Sequence, residues 1–144
     1  MGLIDKLKWW GDSVGVLTSL FSKWRPRNCE TEKAYENSLN SFLHKELEDH
    51  QITKQYGIGR SRADLVIDDR LLIEIKYNLN TSAKYQRLLG QLAEYKEWDG
   101  RVVLLLVGKT DPNLRKQLTS YLEKEGLCGS MFLHEEDKVI IYEK

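Results

Sequence analysis

The sequence predicts an α/β sandwich, a mixed sheet with helices on its faces, in the order helix, strand, strand, strand, helix, strand. Three observations point there. Apolar and polar residues alternate between 62 and 76, a continuous apolar run spans 101–107, and amphipathic helical stretches separate the strand-like runs. With 144 residues and 41% hydrophobic content the chain can bury one core and not two. A single domain over 29–144 is therefore expected, preceded by an amphipathic helical extension over 1–28.

The extension places Leu3, Leu7, Trp10, Val14, Leu17, Phe21 and Trp24 at helical spacing, although Gly11 and Gly15 weaken the helix. Its apolar run over 14–21 is too short to cross a bilayer, and no small-residue cleavage site follows. It is either a helix packed on the domain or, with three tryptophans in the first 24 residues, a docking surface for a second copy, a protein partner or a membrane face. The next helix starts after Thr31 as N-cap and buries Tyr35, Leu39, Phe42, Leu43 and Leu47. Glu36 falls at the edge of that stripe, where a carboxylate needs a partner. Glu32 shares the face, but an acid in the first turn is ordinarily explained by the helix dipole.

The two central strands carry the chemistry. Ala63, Leu65 and Ile67 alternate with Arg62, Asp64, Val66 and Asp68, while Leu71, Ile73 and Ile75 alternate with Arg70, Leu72, Glu74 and Lys76. A slip of one residue would put the apolar face in water, so even residues pair with even. The connection must then be odd, most simply the three residues Asp68, Asp69 and Arg70. Asp64 comes to sit beside Glu74. Adjacent carboxylates repel unless a cation shares them, and hard oxygen donors suit magnesium or manganese, since no Cys or His lies near enough in sequence to suggest zinc. Lys76 on the same face can sit over an anionic oxygen or orient a water. Phosphodiester hydrolysis needs those parts; the same pattern also describes an exposed sheet face with alternating charges.

Beyond the strands, 82–98 reads as a helix with Tyr85, Leu88, Leu89 and Leu92 facing the core and Lys84, Arg87 and Gln91 on a polar flank. A buried strand over 101–107 follows, then a helix over 112–125 and a C-terminal hairpin over 127–142 around Glu135, Glu136 and Asp137.

An acid on a helix, an Asp on the following strand and acid-x-Lys on the next make residues 30–107 resemble the PD-(D/E)xK nuclease superfamily, the restriction-endonuclease-like fold with core order αβββαβ. Gln91-x-x-x-Tyr95, fifteen residues after Lys76, is similar to the Gln-x-x-x-Tyr element of its RecB-type branch, with Gln86 as a competing choice for the Gln. Ala63 stands where the superfamily's name has Pro. The resemblance implies a metal-dependent deoxyribonuclease, endo- or exonucleolytic, directed by substrate structure or by a partner. Asp64, Glu74 and the Ile75 carbonyl would hold Mg2+, or Mn2+ in its place. Glu36, or else Glu32, would complete the site directly or through water, Lys76 would activate the attacking water or stabilise charge on the phosphate, and Gln91 would orient the site. The rival expectation is a non-cleaving module of the same fold that binds nucleic acid or protein.

Charge and cysteine usage limit the partners. The 22 basic and 22 acidic residues balance, so DNA binding must rely on a local patch, for which Lys54, Arg60, Arg62, Lys84 and Arg87, with Tyr95, are the candidates. The segment 56–62, with Gly57 and Gly59, suits either close approach to a phosphate or an ordinary turn. It is no dinucleotide fingerprint, because it precedes a strand. Cys29 and Cys128 form no disulfide framework, so a reducing, cytoplasmic location is expected.

Overall fold

The computed structural model describes residues 12–128 and 137–144. Helices α1 (Ser13–Lys23) and α2 (Glu32–Glu46) lead into strands β1 (Ile52–Ile58), β2 (Ser61–Ile67) and β3 (Leu71–Tyr77), followed by α3 (Ser82–Tyr95), β4 (Arg101–Val107), α4 (Pro112–Lys124) and β5 (Val139–Glu143). The strands form one mixed sheet in the order β1-β2-β3-β4-β5, antiparallel from β1 to β3 and parallel from β3 to β5. From α2 to β4 this is the αβββαβ order expected. Each helix begins at a side-chain cap, of which Thr31 was expected: Asp12 accepts from the Gly15 amide, Thr31 from Ala34, Thr81 from Lys84 and Asp111 from Asn113 and Leu114.

Helices cover both faces of the sheet. One core joins Leu65, Ile67, Leu71, Ile73, Ile75, Val103 and Leu105 to Val14, Leu17, Phe21 and Trp24 of the first helical segment and to Leu39 and Leu43 of α2. The second joins Val66, Leu72, Leu104 and Leu106 to Tyr85, Leu88, Leu92 and Tyr95 of α3 and Leu118 and Leu122 of α4. The even-numbered face expected to be hydrophilic is therefore buried. Parallel β4, apolar at every position from Val102 to Val107, could only sit with helices on both sides.

The hairpin register follows the phase argument: Leu65 pairs with Ile73, Val66 with Leu72 and Ile67 with Leu71, across the three-residue connection. Asp68 and Asp69 both take left-handed backbone, φ 54°, which Asp tolerates better than most side chains. Asp68 also ties this turn to the loop before β1, with its Oδ2 2.5 Å from His50 Nδ1 and its Oδ1 accepting from the Gln51 amide at 2.9 Å.

Three expectations change. Ala63 belongs to the second core, whereas Leu65 belongs to the first. The strand phase thus reverses at Asp64. Trp24 is 2% exposed and donates to Ser38 Oγ at 3.0 Å, so it is core and not docking surface, and α1 is part of the first core. Leu3, Leu7, Trp9 and Trp10 lie outside the described residues. Of the expected hairpin over 127–142, the second strand is β5, which pairs in parallel with β4; residues 129–136 lie outside the described residues. Among the described residues no helix is long and apolar enough to cross a membrane.

The sheet's far end closes around Gly100. A Cβ there would run into the Arg70 carbonyl oxygen, which already accepts from Trp98 Nε1 at 3.0 Å. Gly100→Ala should cost about 1–3 kcal/mol, as overpacking against backbone does. Urea denaturation measures it; an unchanged midpoint would show that this approach is slack.

Candidate active site

The β2–β3 ladder stops at Leu65 and Ile73, one pair short of Asp64 and Glu74. Beyond it the Ile75 amide faces the gap, and Asp64 Oδ2 accepts from it at 2.7 Å. A carboxylate thus replaces a strand carbonyl, which satisfies a backbone donor that would otherwise be buried without a partner. Asp64 is brought near Glu74 as the register required, through a fork in the sheet and not a continued ladder.

Glu74 is 1% exposed and Lys76 6%. Tyr95 reaches across from α3 and donates its hydroxyl to Glu74 Oε2 at 2.7 Å, with the Arg62 carbonyl 3.3 Å away. Lys76 Nζ lies 3.4 Å from Glu74 Oε1. Burial, then the charge of Asp64, pushes the Glu74 carboxyl up to about 8, against the opposing pull of Lys76 and the Tyr95 hydroxyl. Burial also pushes Asp64 up to about 6, although the Ile75 amide and Lys76 favour its ionised form. The Tyr95 phenol is raised by burial and by Glu74, so it remains a donor. A half-buried Asp64 and a buried Glu74, each above its ordinary range, are short of positive charge.

From the other side of the sheet comes Glu36, 2% exposed on α2. Its Oε2 meets Lys33 Nζ at 3.0 Å, its Oε1 accepts from Gln55 Nε2 at 2.6 Å, and its charge adds to that raising Asp64. Glu32 is exposed and accepts from the Tyr77 amide at 3.3 Å, which gives it a local role at the end of β3. Among the described residues no three His, Cys, Asp or Glu side chains are grouped so as to hold a metal ion. Glu36 faces the pair as a charge and is a partner for Gln55.

The remaining expected residues divide. Gln91 lies one turn before Tyr95 on α3, and its Oε1 is buried with no hydrogen-bond partner. That leaves a buried acceptor on the helix that also carries Tyr95. Tyr95 is 1% exposed, so it orients Glu74 and cannot serve as a nucleic-acid contact. Lys84 closes the loop after β3 by donating to the Asn78 carbonyl at 2.9 Å, which engages it locally. Arg60 and Arg62 are exposed on the β1–β2 hairpin and Arg87 on α3, while Lys54 Nζ donates to Asn37 Oδ1 at 2.8 Å. Gln55 was missed. Its strand position gave no sign of chemistry, since only the fold brings it to Glu36.

No protein-family model and no curated protein matches this chain. Among solved structures it is similar to SfsA of Pyrococcus furiosus, determined in complex with Ca2+, at 20% identity and a TM-score of 0.45. The likeness covers 77% of this chain and 54% of SfsA, so the chain spans about half the length of that protein.

The raised carboxyls predict a pH dependence. A carboxyl pushed up by the fold holds its proton more tightly in the native chain than in the unfolded one, so its contribution to stability is fully present below the ordinary carboxylate range and is lost as pH rises toward the native value. The metal-free protein should lose thermal stability from about pH 4 to about 8, the value to which Glu74 is raised. Asp64→Asn should flatten that fall, because it removes one member of the repelling pair. Thermal melts across pH check it; a midpoint that rises through the window would contradict the buried pair.

Proposed function

We propose that this chain is a metal-dependent nuclease that hydrolyses phosphodiester bonds in DNA, with Mg2+ as its ion and Mn2+ as a substitute. One observation carries the reading: half-buried Asp64 near buried Glu74, both carboxyls raised, with the Lys76 ammonium against Glu74. Structural charge pairs are usually arranged to neutralise each other. This pair is arranged to be neutralised from outside. The unpartnered Gln91 oxygen, one turn before Tyr95 on α3, is a buried acceptor that the proposed site would use.

Asp64, Glu74 and the Ile75 carbonyl would hold the ion, all hard oxygen donors suited to magnesium. When bound, the ion would lower the pKa of a water and polarise the phosphoryl oxygen. The chain's own groups do the rest. Tyr95 fixes the rotamer of Glu74, and the Ile75 amide fixes that of Asp64, so neither must reorganise. Lys76, held against Glu74, orients the attacking water or meets charge developing on the phosphate. Glu36 keeps negative charge near the water's path. The exposed Arg60 and Arg62, with Arg87, supply the local basic surface that the balanced total charge requires. The absence of a three-ligand group among the described residues favours a second reading, a non-cleaving nucleic-acid or protein binding module.

Incubating the protein with linear, circular, single-stranded and branched DNA in magnesium, manganese or chelator separates the two. Cleavage that chelator abolishes supports the nuclease; DNA binding without cleavage in either ion supports the module. Asp64→Asn, which keeps an acceptor for the Ile75 amide, or Glu74→Gln should remove manganese binding by calorimetry and leave the chain folded. Lys76→Ala should retain the ion and lose cleavage by about 100-fold or more, the usual worth of one charge-stabilising group.

The helix acid is tested separately. Glu36→Gln keeps size and packing but loses charge, and should weaken cleavage strongly. Glu32→Gln should cost only about 0.3–1 kcal/mol of stability and leave the rate alone. Abolished cleavage in Glu32→Gln, with Glu36→Gln active, would assign the role to Glu32.

A further inference from the structure

Gln55 departs from its strand in three ways. Its backbone is left-handed, φ 53°, a conformation that Gly or Asn takes at lower cost than a long side chain. The β1–β2 register is made on both sides of it, Lys54 with Leu65 and Tyr56 with Ala63, but not at Gln55 opposite Asp64. The sheet faces also exchange there. Ile52 packs against the first core, whereas Tyr56 and Ile58 pack against the second, as Leu65 and Ala63 do across the hairpin.

The side chain shows what this conformation gains. Gln55 Nε2 donates to Glu36 Oε1 at 2.6 Å, while the other oxygen of Glu36 is held by Lys33, whose side chain is 62% exposed. Gln55 is exposed as well, but its amide is carried on the strand directly opposite Asp64. A kink alone would be served better by Gly. A kink that must also reach a buried carboxylate on α2 needs a long amide, and strained backbone of this kind persists where the surroundings demand it.

We infer that Gln55 is a positioning residue of the proposed nuclease site. It clamps the Glu36 carboxylate in place relative to Asp64, at the point where the strands exchange faces and Asp64 enters the fork. The inference rests on the nuclease reading and acts through Glu36, so it makes a statement about coupling that a purely structural role does not.

The test uses Gln55→Gly, which keeps the left-handed turn without strain and deletes the amide. Single-turnover cleavage of DNA in manganese is measured for the full chain, Gln55→Gly, Glu36→Gln and the double variant. Gln55→Gly should slow the cleavage step about 10- to 100-fold, the range for groups that orient a metal site's residues, with the half-saturating protein concentration unchanged and the melting temperature equal or higher. In the Glu36→Gln background the same change should alter the rate by less than about 2-fold, because coupled residues do not act additively. Full activity of Gln55→Gly, or an equal loss in both backgrounds, overturns the role while the nuclease reading stands. A wild-type chain that neither binds manganese nor cuts DNA retires that reading and the role with it.

Discussion

The fork between β2 and β3 is the constraint on which the site depends. A sheet buried on both faces cannot leave the Ile75 amide unpaired, yet the ladder from β2 ends at Leu65. Asp64 closes the gap with its side chain. One hydrogen bond therefore does two things: it lets the strands part, and it fixes a carboxylate in the opening. Because the opening lies in the plane of the sheet, groups from both layers converge on it, Glu74 with Tyr95 of α3 on one side and Glu36 of α2 on the other.

Burial then sets the electrostatics. The helices that cover the sheet take Glu74 and Lys76 out of water along with their apolar neighbours. Desolvation is the first cause of the shift at both Asp64 and Glu74, and their mutual repulsion comes on top of it at Glu74. Lys76 and the hydrogen bonds from Ile75 and Tyr95 offset this without cancelling it. The same packing that stabilises the domain thus leaves both carboxyls above their ordinary range.

The turns hold this geometry from a distance. Left-handed Asp68 and Asp69 make the short hairpin that fixes the β2–β3 register, and the Asp68 carboxylate anchors it to His50 and Gln51. At the other end Gln55, also left-handed, reverses the phase of the hairpin and delivers Tyr56 to Trp98, with ring centroids 5.5 Å apart. Between these points the strands have little freedom to slide, so the distance from Asp64 to Glu74 is determined by backbone and not by the acids' own attraction to a ligand.

Much of this was legible in the chain. Alternation in 63–76 settled the register and the three-residue turn, because a slip would expose Leu65, Ile67, Ile73 and Ile75 together; Thr31 placed the start of α2, and helical spacing put Glu36 at the edge of the buried stripe, where the structure finds it 2% exposed. These are local or pairwise consequences of burial, and a sequence records them directly. The phase reversal at Gln55 and Asp64, the burial of the even face beneath α3 and α4, the withdrawal of Tyr95 from the surface and the Gln55–Glu36 contact were decided only by tertiary structure. Each depends on where distant segments meet, and alternation along one strand shows which residues share a side without showing what covers that side.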